Sequence, residues 1–496
     1  MKLVSERIRI GKERPTEVTQ VMVGCALTFA VTAERFPQVC RIIGSVEGAN
    51  VNGASGHAAI VRRRTRRPVG EIGCQLKGAS QLAQAAIARH EGRIANVERQ
   101  VVPMIKTIAG FDRIGEENAF AVLARAAELT PHFEAKGMDV INLGIGQPDF
   151  PTPEHIVEAA VKALRDGHHG YTPATGILPL REAVAQRTLD TTGVEVSPER
   201  VCIMPGGKVT MFAAILMMGE PGAEICYPDP GFPIYRSMIE FTGATPVPIP
   251  VREENGFAFS GEEALSLVND KTRLIILNSP ANPTGGVTPR AEIAKLVAGL
   301  EAFPNAVIMS DEIYDVMTYN DVEHVSLLQF PEIRDRLIVL NGWSKTWAMT
   351  GWRMGWSIWP DALFENVRKL AVNAWSCVNA PSQYAGIAAI EGPQDAVTDM
   401  MTAFDRRRKL VVERANTLPG VSCATPKGAF YAFPNISGTG RKAKELASEL
   451  LEQQGVATIG GPDFGILGEG YIRLSYANSE DNISRALDRI ATHLEG

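Results

Sequence analysis

Between residues 200 and 345 the chain repeats a pattern that few folds accommodate: a short, continuously apolar run, then a longer amphipathic stretch. The runs are RVCIMP (200–205), AEICYP (223–228), RLIILNS (273–279), AVIMSD (306–311) and RLIVLNG (336–342). A strand that is apolar at nearly every position has no face to give to water. Both its faces must be covered, as inside a parallel sheet. Intervening stretches such as RAEIAKLVAGLEAF (290–303) carry apolar residues at helical spacing and supply the cover. The pattern predicts an α/β domain with a largely parallel sheet.

The flanks read differently. EENAFAVLARAAELT (116–130) predicts a helix, followed by a strand-like DVINLGIG (139–146). AVTDMMTAFDRRRKLVVERANTL (396–418) predicts a long helix with a solvated basic turn, and GAFYAFPNI (428–436) and GYIRLSYA (470–477) predict strands. We therefore assign 151–395 to a large domain, and 104–150 with 396–496 to a smaller α+β domain built from both flanks.

Composition matters chiefly for the first 103 residues. The chain as a whole, at 45% hydrophobic and 21% charged, is ordinary for a globular protein. Its net charge of −6 hides a split, because residues 1–103 hold sixteen Lys/Arg against eight Glu, leaving 104–496 at −14. That balance gives no reason to expect a nucleic-acid partner. With no Tyr, no Trp and two Phe, residues 1–103 have little with which to build a core. RRRTRR (62–67) reads as a solvated basic stretch ahead of a nucleic-acid or targeting patch. VMVGCALTFAVTA (21–33) resembles a signal-peptide core, but Glu6, Glu13 and Glu17 lie in its leader. We read 1–103 as an extension, either disordered or upstream of a natural start near Met104. The seven cysteines show no CxxC pair and no metal-ligand spacing, which points to a reducing, cytoplasmic compartment and away from a disulfide framework or zinc site. No apolar run has the length of a membrane span.

In open α/β sheets, ligands bind beyond the carboxyl ends of the strands. The residues just past the five runs are Gly206-Gly207-Lys208, Phe232, Asn282, Asp311 with Tyr314, and Lys345. A Gly-Gly turn opening a helix offers free amides to an anion such as phosphate, and Ser344 and Arg353 add donors nearby. Each residue also has an ordinary structural use. Asp311 can cap the following helix, Asn282 can form an Asx turn, and Phe232 and Tyr314 can fill core space. Taken together, an anion cradle, an aromatic plate, a carboxylate, a phenol and an amine match the needs of one cofactor, pyridoxal 5′-phosphate (PLP).

From about residue 112 to 494 the chain resembles the class I/II aminotransferases of fold type I, closest to the bacterial aspartate aminotransferase branch. The resemblance is carried by GQPDF (146–150), YTPATGILPLREA (171–183), NPTGG (282–286), SDEIY (310–314) and SKTWAMTGWRMGW (344–356), in that order. It implies a mostly parallel seven-stranded sheet sandwiched by helices, plus the smaller domain. Lys345 would bind the cofactor aldehyde and later move the substrate's α-proton, and Asp311 would face the ring nitrogen. Tyr314 and Asn282 would contact the ring 3-oxygen, with Phe232 stacked on the ring. The amides of Gly207 and Lys208, with Ser344 and Arg353, would hold the phosphate, helped by Tyr171 reaching across a homodimer interface. Arg473, with Gly146 beside it, would clamp the substrate α-carboxylate. Two departures stand out: Phe232 occupies a place where many relatives carry tryptophan, and Gly342 one where some branches carry serine. The implied activity is ping-pong transamination between an L-amino acid, aspartate-like by resemblance, and a 2-oxo acid such as 2-oxoglutarate. A C–S lyase, another PLP reaction or an aminotransferase-like regulator remain the alternatives.

Overall fold

All five apolar runs become strands of one sheet. The computed structural model describes residues 106–115 and 117–496; the readings made for residues 1–103 lie outside the described residues. A two-residue strand β1 (Ile141–Asn142) precedes the large sheet. That sheet comprises β2 (Val201–Met204), β3 (Glu224–Asp229), β4 (Thr245–Pro250), β5 (Thr272–Asn278), β6 (Val307–Asp311), β7 (Leu337–Gly342) and β8 (Gly355–Ile358), in the spatial order β2-β8-β7-β6-β5-β3-β4. All neighbours pair parallel except β8, which runs antiparallel to both β2 and β7.

The run-on apolarity of these strands is explained by what covers them. Ile275 and Leu277 of β5 pack into one core with Ile156, Leu180, Leu296 and Ala385 from helices on one face. Their neighbours Leu274 and Ile276 pack into a second core with Met211, Ile215, Tyr235 and Val367 on the other. Because successive side chains point to opposite faces, both sets must be apolar. Each fully buried Ile or Leu contributes roughly 1.5–3 kcal/mol relative to exposure.

Two strands escape the pattern. β4 reads TPVPIP and forms an edge. The amide of Thr245 bonds the Ala223 carbonyl at 2.8 Å, so alternate positions face β3. Pro246, Pro248 and Pro250 occupy the other alternates, where a missing N–H costs no ladder bond and blunts the open edge. β8 is four residues long and begins at a glycine inside the Trp-rich segment, too short for its burial to register as a run.

The remaining strands, β9 (Tyr431–Ala432), β10 (Val456–Ala457), β11 (Ile459–Gly460) and β12 (Ile472–Ser475), belong to the second packing region. β10 pairs with β1, and β11, β12 and β9 form a three-stranded antiparallel sheet. Their core is shared with the helices Asp395–Ala415, Ala443–Gln454 and Glu480–Glu495.

The basic turn of the first of these helices is not solvated as expected. Arg407 and Arg408 are buried, and only Arg406 of the three is open to solvent. Arg408 pairs with Asp405 at 2.6 Å, donates to the Pro426 carbonyl at 3.1 Å and lies over the Tyr319 ring. Arg407 pairs with Asp149 at 2.7 Å between the rings of Phe150 and Phe404. Long stems and stacking guanidinium planes let arginines serve as core residues once their charges are met. Among the described residues, no helix is long and apolar enough to cross a membrane.

Candidate active site

The parallel strands end along one edge of the sheet, and a cavity of about 950 Å³ opens there. The site residues named from the sequence line it, except Gly206, which caps the helix beside it, and Tyr171, which is 93% exposed and outside it.

Lys345 sits in a single helical turn, Trp343–Thr346, directly after β7. The tryptophans around it are structural. Trp343 is fully buried, donates from Nε1 to the Gly386 carbonyl at 3.0 Å and meets Trp356 edge to face, with centroids 4.5 Å apart. Trp347 and Trp352 donate to Gln394 and Thr152, each at 3.0 Å. This packing fixes the turn on one side and leaves the lysine stem free to cross to the other. Its Nζ donates to the Gly146 carbonyl at 2.5 Å. Burial, with the Arg473 charge next, pulls the Lys345 ammonium down to about 8.

Asp311, the last residue of β6, is 2% exposed. The Tyr235 hydroxyl donates to its Oδ2 at 2.6 Å and the Ile313 amide to its Oδ1 at 3.2 Å. Even so, burial pushes the carboxyl up to about 6. Among the described residues it makes no ion pair. The Tyr314 and Tyr431 hydroxyls share a hydrogen bond of 2.9 Å.

Arg473, on β12, brings the second packing region to the cavity. Its hydrogen bonds go to neutral oxygens: Asn282 Oδ1 at 2.9 Å and the Gly144 carbonyl. Its Nε is buried without a partner, and its plane lies 4.7 Å from the ring centroids of both Tyr431 and Phe464. Burial holds this guanidinium below its usual range. A buried charge without a counter-ion is costly and invites an anion.

The helix Gly207–Met218 starts at the same edge, with Gly206 as its cap at φ 92°. That backbone favours glycine, and a side chain here would also run into the Arg353 guanidinium. First-turn amides have no partner within a helix, so those of Gly207 and Lys208 are available to an anion beside Arg353. Ser344 lines the same space. Phe232 meets Tyr235 edge to face at 5.9 Å, and Lys208 Nζ lies 5.3 Å from the Phe232 centroid.

Three participants were not read from the sequence. Tyr235 holds Asp311, Tyr431 bridges Tyr314 and Arg473, and Glu117 pairs with Lys208. Tyr235 ends the segment YPDPGFPIY (227–235), three residues past Phe232, and that spacing was the available signal. Glu117 and Tyr431 sit far from their partners in sequence and carried none.

These residues fit PLP on the structure's own terms. The unpaired buried carboxylate of Asp311 suits a protonated ring nitrogen, the glycine-lined helix start suits the phosphate, and the depressed Lys345 amine suits the aldehyde. Such a site belongs to the class of enzymes that work on amino acids through PLP.

Comparisons with known proteins agree. Residues 138–490 match the family model described as aminotransferase class I and II. The chain is 40% identical over 379 residues to an aspartate aminotransferase of Pyrococcus horikoshii, covering 76% of this chain and 96% of that protein. It is 37% identical over 360 residues to aromatic-amino-acid aminotransferase 2 of Thermococcus litoralis, covering 72% and 92%. Its fold is similar to the solved aspartate aminotransferase from Thermus thermophilus with maleate, at TM-score 0.73 and 32% identity over 78% of this chain and 100% of that one. The chain belongs to the aminotransferase class I and II family and is a PLP-dependent aminotransferase.

Proposed function

We propose that the chain carries out ping-pong transamination between an L-amino acid and a 2-oxo acid, with the residues of this cavity in the following roles. The observation that carries the assignment is the pair of buried, uncompensated charges, Asp311 and Arg473, in the cavity that also holds the Lys345 amine. When bound, PLP supplies an electron sink for the charge left on the substrate α-carbon as its proton departs. Asp311 keeps a proton on the ring nitrogen, and Tyr235 keeps Asp311 charged. Tyr314 and Asn282 would face the ring 3-oxygen, and Phe232 would lie against the ring. The amides of Gly207 and Lys208, with Ser344 and Arg353, hold the phosphate. Arg473 takes the α-carboxylate in a bidentate fork beside Gly146, which orients the α-hydrogen toward Lys345. Lys345 Nζ then moves that proton; a value near 8 keeps its neutral form accessible close to physiological pH.

The reading extends to a homodimer, in which Tyr171 of the partner subunit reaches the phosphate. The 93% exposure of Tyr171, away from its own cavity, supports this. We also assign Lys345 to a large domain spanning 151–395, and Arg473 to a small domain formed by 104–150 and 396–496. The free thiols of Cys202, Cys226, Cys377 and Cys423 support a cytoplasmic setting. The names of the relatives support acidic, aspartate-like donors and aromatic donors alike.

Single-turnover assays of the PLP-loaded enzyme with a panel of L-amino acids, and no acceptor, test the reaction. One equivalent of 2-oxo acid released per site is expected. Continuous release without an acceptor would mean a lyase instead.

A further inference from the structure

The side-chain end of the cavity decides between those donors, and one ion pair dominates it. Four cationic side chains of the described residues line the cavity: Lys208, Lys345, Arg353 and Arg473. On the roles above, three are committed, Lys345 to the aldehyde, Arg353 to the phosphate and Arg473 to the α-carboxylate. Of these four, Lys208 is the side chain left to meet a carboxylate on the substrate side chain, and it is taken. Its Nζ forms a salt bridge and hydrogen bond with Glu117 Oε2. The two side chains are 41% and 19% exposed, so the carboxylate is the more deeply set partner.

The surroundings are aromatic. Lys208 Nζ lies 5.4 Å from the Phe120 centroid and 5.3 Å from that of Phe232, and Ala119, Ile145 and Trp352 also line the cavity. The negative charge of Glu117 reaches the reacting groups as well, favouring the charged forms of Lys345 and Arg473.

We propose that Glu117 is a specificity residue: by holding Lys208 it turns away side-chain carboxylates and directs the enzyme to donors with uncharged, apolar side chains, phenylalanine and leucine being the type. An aspartate or glutamate side chain entering this space must displace Glu117 from Lys208 or stand beside it, and juxtaposed like charges are strongly unfavourable. A neutral side chain leaves the pair intact and lies against Phe120 and Phe232. This inference rests on the transamination reading for the role of Arg473, but its test does not need turnover.

Two non-reacting ligands that share the α-carboxylate mimic serve as probes of the PLP-loaded enzyme: maleate, with a second carboxylate, and 3-phenylpropanoate, with a ring. Calorimetric Kd values are expected to favour 3-phenylpropanoate in the native enzyme. Glu117→Gln should shift the ratio toward maleate by at least about tenfold, because Lys208 is freed. Glu117→Gln combined with Lys208→Gln should cancel that gain. A purely structural role for Glu117 would move both probes together. Native preference for maleate, or a ratio that Glu117→Gln leaves unchanged, would overturn the proposal. If no amino acid released an oxo acid while the ratio still shifted, the transamination reading would fail and the role of Glu117 would stand.

Discussion

Replacing Asp311 with asparagine separates what this carboxylate costs the fold from what it does for the cofactor. Asp311 is 2% exposed, and burial raises it from 3.8 to about 6 despite the hydrogen bonds from Tyr235 and Ile313. Between those two values the folded, cofactor-free chain holds this proton while the unfolded chain has lost it. The native state then binds more protons, so stability falls as pH rises through that window and the full penalty applies above it. Two pKa units correspond to about 3 kcal/mol. Asparagine is nearly isosteric and cannot ionise. Its Oδ1 can keep the Ile313 amide, and the Tyr235 hydroxyl can turn to accept from Nδ2.

Cofactor-free Asp311→Asn should therefore be more stable than the native chain by up to about 3 kcal/mol near pH 8, with the difference closing near pH 4. Urea titrations followed by tryptophan fluorescence at several pH values measure it. Loaded with PLP, the native chain regains the difference, because a protonated ring nitrogen meets the buried carboxylate, and the variant loses transamination. A stability difference that did not change with pH would refute the assignment of an uncompensated charge to Asp311. So would a variant less stable than the native chain throughout.

Lys345→Ala should abolish turnover together with the visible absorbance of bound PLP; residual activity at native level would remove Lys345 from the chemistry. Arg473→Ala should lower kcat/KM for every amino acid by roughly a hundredfold or more, since about 3 kcal/mol is typical for truncating one side of a buried charged contact. A loss confined to one donor in steady-state kinetics would argue against an α-carboxylate clamp. Arg408→Ala should destabilise the chain by about 3 kcal/mol in urea, because it leaves a cavity under Tyr319 and the buried Pro426 carbonyl without its donor; a change under about 1 kcal/mol would mean the site closes over the lost side chain.

Legibility followed locality. A strand buried on both faces must be apolar at successive positions, so β2, β3, β5, β6 and β7 were visible in the sequence, and parallel pairing carried the residues after them to one edge. The candidate lysine, carboxylate and glycine turn were legible because each ends such a run or follows it by a few positions. β4 was not, since an edge strand can spend its unpaired positions on prolines, which read as breakers. Arg407 and Arg408 were misread for a related reason: a charge triplet looks solvated until groups that receive it, Asp149, Phe150, Tyr319 and the Pro426 carbonyl, arrive from elsewhere in the chain. Tyr235, Tyr431 and Glu117 share that dependence more strongly. Their hydroxyls and carboxylate act only through a partner, and those partners lie 76, 117 and 91 residues away. Residues proposed to touch the cofactor are constrained by the strand that delivers them, whereas residues that tune those contacts can be delivered by any element that reaches the cavity. Differences in donor preference between enzymes sharing this sheet should therefore arise at positions like Glu117, on flanking segments free to change without disturbing the strand ends.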